Sequence, residues 1–479
     1  MDNSCTAQKP LVVDLDGTLI KGDMLFESLL LFCKYNPLRF FISLFWLLTR
    51  GKAYLKTRLA FHAKLAISSL PYNLELLAYL EEEKKTGRKI ILATASSKIY
   101  AEEIANHLDL FHEIIASEDV NLSAKNKRKV LIQRYQEKGY DYIGNSADDL
   151  TVWASSDRAI AVNPEFGIRK KVSRMANLDK IIHSKPPVAM SWVKALRLHQ
   201  WLKNLLIFIP LLAAHLTPSP LIIGQALLAF LSFSFCASSA YLLNDLLDLE
   251  SDRQHPRKKH RPFAAGALSI KSGLIAVPLL FLMGLGISYF WLSKMFLVVL
   301  LAYYLLTIGY SLYLKQIMML DIVSLASLYT LRIVGGTYAF NLSLTFWMLA
   351  FSMFLFTSLA LVKRYTELQD ARNKGKTDKM PGRGYYPGDL EMISSLGAAA
   401  GYLSVLVLAL YIQDSSIAEL YRHPHLIWLS CPLLLFWISR IWLLTHRGQM
   451  HDDPVVFAAT DKISLFIALV FALIFWMAL

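Results

Sequence analysis

Apolar residues follow different patterns before and after residue 190. Before it, short apolar runs alternate with charged, helix-like stretches, whereas the rest of the chain repeats apolar stretches of about 20 residues, the length that crosses a bilayer. We therefore predict an α/β domain at residues 1–185 and an all-α membrane bundle at residues 190–479. Nine transmembrane helices are predicted at 198–216, 220–243, 272–291, 294–314, 319–340, 344–362, 392–412, 426–444 and 462–479.

Three apolar runs in the first domain are typical of buried parallel strands. They lie at residues 11–15, 89–93 and 141–144, and helical patterns such as 71–85 and 99–108 separate them. Strands that alternate with helices predict a doubly wound, Rossmann-like sheet. In such a sheet the functional side chains are expected at the carboxyl ends of the strands.

Composition and charge favour an integral membrane protein. Hydrophobic residues make up 55% of the chain and charged residues 18%, against about 25% charged residues in soluble domains. This excludes a disordered or purely soluble protein. We interpret the net charge of +13 as cytoplasmic loops beside anionic lipid, and we predict no nucleic-acid partner.

The basic residues also predict the orientation of the chain. The loops after the second and sixth spans are rich in Lys and Arg, whereas opposite loops carry little more than Lys294 and Arg422. The positive-inside rule then places these basic loops and the N-terminal domain in the cytoplasm. We expect a protein of the inner (cytoplasmic) membrane, with no cleavable signal peptide and with its active sites on the cytoplasmic side.

Two carboxylates follow the first predicted strand, in the run Asp14-Leu15-Asp16-Gly17-Thr18. Spaced two apart and followed by a glycine turn, Asp14 and Asp16 can share one Mg²⁺. One carboxylate can attack phosphorus while the other moves a proton. Thr94 ends the second strand, a cation follows at Lys127 or, as the alternative, at Lys125, and Asp149 follows the third strand.

The order of these signals resembles the haloacid dehalogenase (HAD) phosphatase superfamily over residues 11–160. The resemblance implies that Asp14 is the nucleophile and Asp16 the general acid/base. It also implies that Thr94 and Lys127 hold the phosphoryl group, and that Asp149 joins the two other carboxylates as a Mg²⁺ ligand. Asn145 stands where the family often has Asp, which implies weaker metal binding, altered substrate choice or lost activity.

An apolar, helix-like insert at residues 24–65 lies between the first two strand ends, where a small helical cap is expected. Its most apolar part, Leu29–Leu48, is interrupted by Lys34, Pro37 and Arg39. Two interpretations stay open: a helical pair at the membrane interface, or a core helix of the cap. Basic residues favour contact with the membrane surface, namely Arg50, Lys52, Lys56 and Arg58.

A second acidic group, here called the acidic stripe, follows the second predicted span. It consists of Asn244, Asp245, Asp248 and Asp252, whose spacing predicts one face of a helix. Carboxylates this close repel one another unless a cation lies between them, and Mg²⁺ with a diphosphate meets that need. Pro256 is expected to end the helix. A basic cluster that could clamp phosphates follows, including Arg253, Lys258 and Arg261.

The stripe and the basic segment after it, NDxxDxxxD and DRxHPxKxxRPxAxG, resemble the UbiA superfamily of membrane prenyltransferases over about residues 190–479. Ordinary members carry a second Asp-rich motif after the sixth span, where this chain has Lys363 and Arg364. Further segments are similar to the branch typified by decaprenyl-phosphate phosphoribosyltransferase. They include Lys203 and Asn204 at the start of span one, Lys315 and Asp321 between spans four and five, Arg332 inside span five, and residues 447–456.

This resemblance implies transfer of 5-phosphoribose from phosphoribosyl diphosphate (PRPP) to a polyprenyl phosphate, with Mg²⁺ held by Asp245, Asp248 and Asp252. Asp245 and Asp248 are the expected catalytic residues. The HAD-like domain is predicted to remove the 5-phosphate of the product. The expected substrate-binding residues are Lys203, Asn204, Asn244, Asp252, Arg253, Lys258, Arg261, Lys315, Arg332, Lys363 and Arg364.

Two other hypotheses remain. The chain could transfer a prenyl group from a prenyl diphosphate to an aromatic acceptor, although the missing second acidic motif disfavours this. It could also be a lipid-binding or transporter-like membrane protein with a regulatory N-terminal domain. Transporters show internal repeats, and no clear repeat is visible in the sequence.

Overall fold

The computed structural model describes residues 8–34, 36, 38–117, 122–165, 167–214, 219–380, 382–414, 421–450 and 453–479. The chain divides into two compact units. The first comprises Met1–Leu196 and Tyr241–Val277, and the second comprises Arg197–Ala240 and Pro278–Leu479. The acidic stripe therefore lies in the same unit as the α/β domain.

The first unit is built on a six-stranded parallel sheet, which confirms the Rossmann-like prediction. Its strands are ordered β3-β2-β1-β4-β5-β6. The central strand β1 pairs with β2 on one side and β4 on the other, with Leu11 opposite both Ile90 and Asp141. The strands are β1 Leu11–Val13, β2 Ile90–Ser97, β3 Glu113–Ser117, β4 Asp141–Gly144, β5 Ala159–Val162 and β6 Leu178–Ile182.

Helices cover both faces of this sheet, so β1, β4 and β5 are buried throughout. Strands covered on both faces read as continuous apolar runs. The helices of the α/β part are α1 Met24–Lys34, α2 Arg39–His62, α3 Leu74–Lys85, α4 Lys98–Leu108, α5 Ala124–Tyr135, α6 Leu150–Ser155, α7 Arg169–Val172 and α8 Val188–Leu196.

The predicted insert forms a helical pair, α1 and α2. The helix α2 is bent at Gly51, whose φ of 81° is readily adopted only by glycine. Beyond the bend, Leu55 and Leu59 pack with Phe32 of α1 in a small apolar cluster. The two halves of α2 therefore have separate environments.

The C-terminal part of the chain is helical. Its helices are α9 Ile209–Ala213, α10 Pro220–Leu247, α11 Leu249–Gln254, α12 Ile270–Trp291, α13 Lys294–Leu312, α14 Leu320–Ala339, α15 Phe346–Asn373, α16 Leu390–Gln413, α17 Ser430–His446, α18 Pro454–Thr460 and α19 Lys462–Ala478. Among the described residues, six helical stretches are long and apolar enough to cross a membrane. The count is seven if α18 and α19, which meet at a bend of 78°, form one span.

The predicted number of nine spans is not confirmed. The first predicted span is a 3₁₀ helix, Leu198–Phe208, followed by the short α9, and its predicted end at 215–216 lies outside the described residues. The fifth corresponds to α14, which carries the buried charges Asp321 and Arg332. The ninth corresponds to α19, which is broken from α18. In the first and fifth predicted spans, buried polar side chains lower the apolar character, and the first is also short, so these two segments are not counted as spans.

Small residues allow close helix packing in the second unit. Ser232 and Cys236 of α10 are fully buried, and the Ser232 hydroxyl donates to the Gly284 carbonyl oxygen over 2.7 Å. A Cβ at Gly284 would lie 2.6 Å from the Cys236 sulfur. Small residues at helix contacts are typical of membrane bundles, in which backbones approach closely.

Candidate active sites

The carboxyl end of β1 carries an ion pair between Asp14 and Lys127. The Lys127 Nζ lies 2.6 Å from the Asp14 Oδ1, and both side chains are at least nine-tenths buried. The same ammonium donates to the Tyr142 hydroxyl over 3.0 Å. Of the two cations predicted here, the structure thus brings Lys127 to the nucleophile candidate, whereas Lys125 is exposed.

Asp16 is held by two donors. Its Oδ1 accepts the Met24 amide over 2.8 Å, and its Oδ2 accepts the Ser96 hydroxyl over 2.6 Å. Ser96 stands beyond Thr94 on β2, which continues past the predicted strand end at residue 93. The Thr94 hydroxyl accepts the Ser96 amide over 2.9 Å. Sequence reasoning identified Thr94 and missed Ser96, although two residues along a strand share one face.

The Asp149 carboxylate is engaged on both oxygens. Its Oδ1 accepts the Tyr142 hydroxyl over 2.7 Å. Its Oδ2 accepts the Asn145 and Ser146 amides and the Ser146 hydroxyl, all within 3.0 Å. Tyr142 contacts both Lys127 and Asp149, so it links Asp149 to the Asp14 ion pair. Asp149 therefore fixes the loop after β4 through hydrogen bonds and adds negative charge near Asp14.

Asn145 lies against the loop that follows β1. Its Oδ1 accepts the Thr18 hydroxyl over 3.2 Å, and the Thr18 hydroxyl is also 3.4 Å from the Asp14 Oδ2. Gly17 has a φ of 76°, and a Cβ there would overlap the Asn145 side chain. The amide oxygen of Asn145 is thus a neutral hydrogen-bond acceptor placed next to the loop that follows β1.

Burial dominates the electrostatics of this site. Burial raises the pKa of Asp14 to about 7, Lys127 opposes the rise, and Asp149 adds to it. Burial and the charge of Asp16 raise the pKa of Asp23 to about 6. Burial also lowers the pKa of Lys56, a cap residue whose Nζ donates to the Ala95 carbonyl over 2.6 Å. From the sequence, Lys56 was predicted only to be one of the basic residues that favour contact with the membrane surface.

These residues fit a Mg²⁺ ion by the chemistry of their donors. No group of three or more His, Cys, Asp or Glu that could hold a metal occurs among the described residues. Mg²⁺ commonly binds through one or two carboxylates, with waters and substrate phosphates completing its shell. Asp14 and Asn145 are hard oxygen donors, and because burial raises the pKa of Asp14, a cation bound beside it would favour the ionised carboxylate.

The acidic stripe is not a single continuous helix as predicted, because α10 ends at Leu247 and α11 begins after Asp248. Helical hydrogen bonding nevertheless continues, from the Asp248 amide to the Asn244 carbonyl and from the Asp252 amide to the Asp248 carbonyl. Asp245 and Asp252 are buried, and both contact one Arg261 nitrogen, at 3.1 and 2.6 Å. The two carboxylates therefore share one cation, the Arg261 guanidinium. Two carboxylates that share a cation in this way also fit a divalent metal ion in place of the guanidinium.

Arg253 has a different role from the one predicted. Its guanidinium forms two hydrogen bonds to the Glu27 carboxylate of α1, over 2.6 and 3.1 Å, and its Nε donates to the Ala264 carbonyl. Both side chains are almost fully buried. The pair ties the cap to the segment after the stripe, so Arg253 is not exposed to a phosphate ligand. Lys258, by contrast, is exposed.

In the second unit, two lysines meet one carboxylate, and we call this group the lysine pair. The Lys203 ammonium is bonded to Asp453, and the Lys363 Nζ lies 3.8 Å from the same Asp453 oxygen. The Tyr329 hydroxyl is 3.4 Å from both Asp453 oxygens, and the Val455 amide donates to Asp453 over 3.1 Å. Sequence reasoning pointed to residues 447–456 but gave Asp453 no role, and residues 451 and 452 lie outside the described part.

Arg332 and Asn204 form a second buried network in this unit. The Arg332 Nε donates to the Asn204 Oδ1, and another guanidinium nitrogen donates to the Tyr303 hydroxyl, both over 2.9 Å. The guanidinium also lies 5.7 Å from the Tyr329 ring centre. Tyr329 therefore contacts both this network and the lysine pair, so three predicted residues are brought together: Lys203, Asn204 and Arg332.

Arg364 was predicted to bind substrate, but its guanidinium is almost fully buried in ion pairs. It lies 2.6 Å from the Asp321 carboxylate and is also bonded to Glu367. The Tyr385 hydroxyl donates to the other Asp321 oxygen over 2.6 Å. We therefore correct the predicted substrate-binding role of Arg364: its ion pair with Asp321 holds α15 against α14. Lys315 lies in a 3₁₀ turn, Leu314–Gln316, and is half-buried.

Comparison with known proteins matches both parts of the chain. Residues 205–470 match the UbiA prenyltransferase family, and residues 11–152 match haloacid dehalogenase-like hydrolases. The whole chain is 34% identical to an uncharacterized protein, y4nM, of Sinorhizobium fredii, of which 93% is covered. A solved UbiA homolog from Archaeoglobus fulgidus bound to DMAPP and Mg²⁺ is 16% identical, with a TM-score of 0.46, over 60% of this chain and 98% of that one.

Two further relatives each match about three fifths of the chain. The nodulation protein NoeC of Azorhizobium caulinodans is 38% identical over 58% of this chain and 89% of its own length. The decaprenyl-phosphate phosphoribosyltransferase of Mycobacterium tuberculosis is 30% identical over 61% of this chain and 96% of its own length.

Proposed function

The chain belongs to the UbiA prenyltransferase family and carries a haloacid dehalogenase-like domain before its membrane helices, and from this premise we propose a bifunctional enzyme. The membrane half transfers 5-phosphoribose from PRPP to a polyprenyl phosphate. The HAD-like half then removes the 5-phosphate from the lipid product. Similarity to decaprenyl-phosphate phosphoribosyltransferases supports the first step.

The observation that carries this proposal is the lysine pair. Lys203 and Lys363 both pair with Asp453, so the group carries more positive than negative charge. A polyprenyl phosphate is already anionic at neutral pH, so it needs cationic positioning and no general base. An aromatic acceptor would instead need its proton removed. The lysine pair therefore favours a phosphate as the acceptor.

The acidic stripe is proposed to take the diphosphate of PRPP. Asp245, Asp248 and Asp252 would hold Mg²⁺, which when bound neutralises the charge of the departing diphosphate. Arg261, now paired with two of these carboxylates, would turn to phosphate oxygens. In the transfer, the bond from the anomeric carbon to diphosphate breaks, and a bond from that carbon to the acceptor phosphate forms.

The HAD-like site is proposed to hydrolyse the 5-phosphate through a covalent step. Asp14 attacks phosphorus, and the ribose oxygen leaves with a proton from Asp16. Water then cleaves the aspartyl phosphate, with Asp16 accepting the proton. Lys127 stabilises the negative charge beside Asp14, and the Ser96 hydroxyl keeps Asp16 in place. The products are inorganic phosphate and a lipid-linked ribose.

The site of action is proposed to be the cytoplasmic face of the cytoplasmic membrane. Both loops with many basic residues, after the second and sixth predicted spans, obey the positive-inside rule in that orientation. The N-terminal domain and PRPP, a soluble metabolite, would then share one compartment.

The proposal is tested with the purified full-length chain in nanodiscs. It is incubated with Mg²⁺, labelled PRPP and polyprenyl phosphate, and the lipid products are identified by mass. A parallel arm supplies a prenyl diphosphate with an aromatic acid. We expect diphosphate release and a ribosylated lipid in the first arm only. A prenylated aromatic product in the second arm, without ribose transfer, would overturn the assignment.

A further inference from the structure

The first half of α2 exposes apolar side chains. We call Phe40–Leu48 the apolar segment. Seven of its nine residues are large apolar side chains exposed by 38% to 76% of their surface. Soluble domains rarely expose a contiguous patch of this kind unless something binds it. The complete list is Phe40, Phe41, Ile42, Leu44, Phe45, Leu47 and Leu48.

The exposed side chains surround most of the helix. At 100° per residue they spread over more than half of its circumference, whereas a single partner helix covers only a stripe. The remaining side packs on the domain itself. Ser43 is buried there, and Trp46 lies 5.5 Å from the Phe32 ring and stacks on His62 at 5.9 Å. A fluid apolar medium covers such a surface better than one protein partner does.

The ends of the apolar segment are basic. Arg39 precedes it, and Arg50 and Lys52 follow it, all exposed. Nine helical residues extend about 14 Å, less than half of a hydrocarbon core of about 30 Å, so the segment is too short to cross. An apolar helix with cationic ends suits the interface of a bilayer that contains anionic lipid.

The second half of α2 reaches the phosphate site. Beyond the bend at Gly51, Leu55 and Leu59 are buried in the domain. Lys56 donates to the Ala95 carbonyl over 2.6 Å, directly before Ser96, whose hydroxyl holds Asp16. One helix therefore joins the apolar segment to the proposed phosphatase site.

We propose that the apolar segment inserts into one leaflet of the membrane, so that the HAD-like site acts on a phosphomonoester carried by a lipid at that surface. The part concerning substrate rests on the proposed phosphatase function. The part concerning insertion does not, because it depends on the exposed side chains and their charged ends alone.

Insertion is tested by spin labels in the full-length chain. Phe41→Cys and Phe45→Cys are labelled, one at a time, in a background with the four native cysteines replaced by alanine and with an unchanged gel-filtration profile. Leu74→Cys is the matched control, since Leu74 is 74% exposed on α3 of the same domain. The chain is reconstituted in nanodiscs of phosphatidylethanolamine and phosphatidylglycerol.

We expect labels at 41 and 45 to favour collisions with oxygen, which partitions into lipid, and the label at 74 to favour a water-soluble nickel chelate. Equal accessibility to the chelate at all three positions would overturn insertion. Spin–spin broadening that disappears on dilution with unlabelled chain would also overturn it, because a second copy would then cover the segment.

The consequence for substrate is tested with Phe41→Ser/Phe45→Ser. We expect about tenfold slower hydrolysis of the lipid-linked ribose phosphate, since membrane affinity follows buried apolar area, and an unchanged rate with p-nitrophenyl phosphate. Leu74→Ser should change neither rate. Equal loss on both substrates would contradict the inference. If wild type hydrolyses p-nitrophenyl phosphate but no lipid-linked phosphate, the proposed phosphatase role fails while insertion stands on its own test.

Discussion

The phosphatase-like site and the lysine pair have opposite balances of charge. In the first, the carboxylates of Asp14, Asp16 and Asp149 act on one buried ammonium, that of Lys127. In the second, Lys203 and Lys363 share the carboxylate of Asp453. Burying charges is costly unless they are compensated, so we propose that each group binds a ligand of the sign it lacks. The first suits a metal cation, and the second suits a phosphate.

The acidic stripe differs from both groups, because a cation of the chain itself already compensates its carboxylates. Arg261 lies between Asp245 and Asp252. A bound metal ion can replace the Arg261 guanidinium between these two carboxylates. The released guanidinium can then pair with the negative charge of the ligand.

The largest effect is expected for Asp245→Asn. Loss of one carboxylate should reduce ribose transfer by about a thousandfold, because the stripe can no longer hold the metal-bound diphosphate. Hydrolysis of p-nitrophenyl phosphate by the HAD-like domain should persist. Glu250→Gln, a change of the same kind in the adjacent turn, serves as the control and should retain transfer. Transfer near the wild-type rate in Asp245→Asn would remove the stripe from the site.

Loss of one lysine should raise the KM for polyprenyl phosphate. We expect about a tenfold increase in Lys363→Ala, since a charge-assisted contact contributes about 1.5–3 kcal/mol, with little change in the KM for PRPP. Lys374→Ala, an exposed change at the end of the same helix, should leave both constants unaltered. If Lys363→Ala raises only the constant for PRPP, the lysine pair belongs to the donor.

A cation from the cap should matter less than the Asp14–Lys127 pair. Lys56→Ala is expected to raise the KM of the phosphatase for a phosphomonoester severalfold, because its ammonium lies beside the strand end that holds Asp16. Lys52→Ala changes an exposed lysine one turn earlier on α2 and should have almost no effect. If both substitutions raise the KM equally, the effect comes from the overall positive charge of α2, and a specific role of Lys56 is contradicted.

The smallest effect concerns pH. In the proposed mechanism Asp14 must be ionised to attack phosphorus, and burial raises its pKa to about 7. Phosphatase activity at low Mg²⁺ should therefore fall as pH drops below 7. A bound divalent cation favours the ionised form, so saturating Mg²⁺ should move this acid limb lower by roughly one to three pH units. A limb that does not move with Mg²⁺ would argue against a metal beside Asp14.

Much of the first unit could be predicted because its signals are local. The strands β1 and β4 are short, buried apolar runs, and each is followed at once by polar residues that meet at one edge of the sheet. That order of strand ends predicted a cation near Asp14, either Lys127 or Lys125, and the structure places Lys127 there. Three strands, β3, β5 and β6, were not predicted, and β6 includes the exposed residues Asp179 and Lys180 and lacks an apolar run.

Contacts between distant residues could not be predicted from one sequence. Lys203 and Asp453 are 250 positions apart, and nothing near Asp453 distinguishes it from a loop aspartate. Arg253 was misassigned for the same reason, since its local motif indicates a phosphate ligand while its partner Glu27 lies 226 positions away. The count of nine spans was not confirmed where buried polar side chains interrupt the apolar pattern, as in α14.

The central claim is that the two halves act in sequence, and Asp14→Asn in the full-length chain tests it most directly. The chain is given PRPP labelled separately in the ribose and in the 5-phosphate, with polyprenyl phosphate as acceptor. Asp148→Asn, a change of an exposed neighbour of Asp149, is the control. We predict that wild type and the control yield a lipid with labelled ribose and no 5-phosphate, whereas Asp14→Asn yields a lipid that keeps both labels. The same phosphorylated lipid from all three chains would contradict the account.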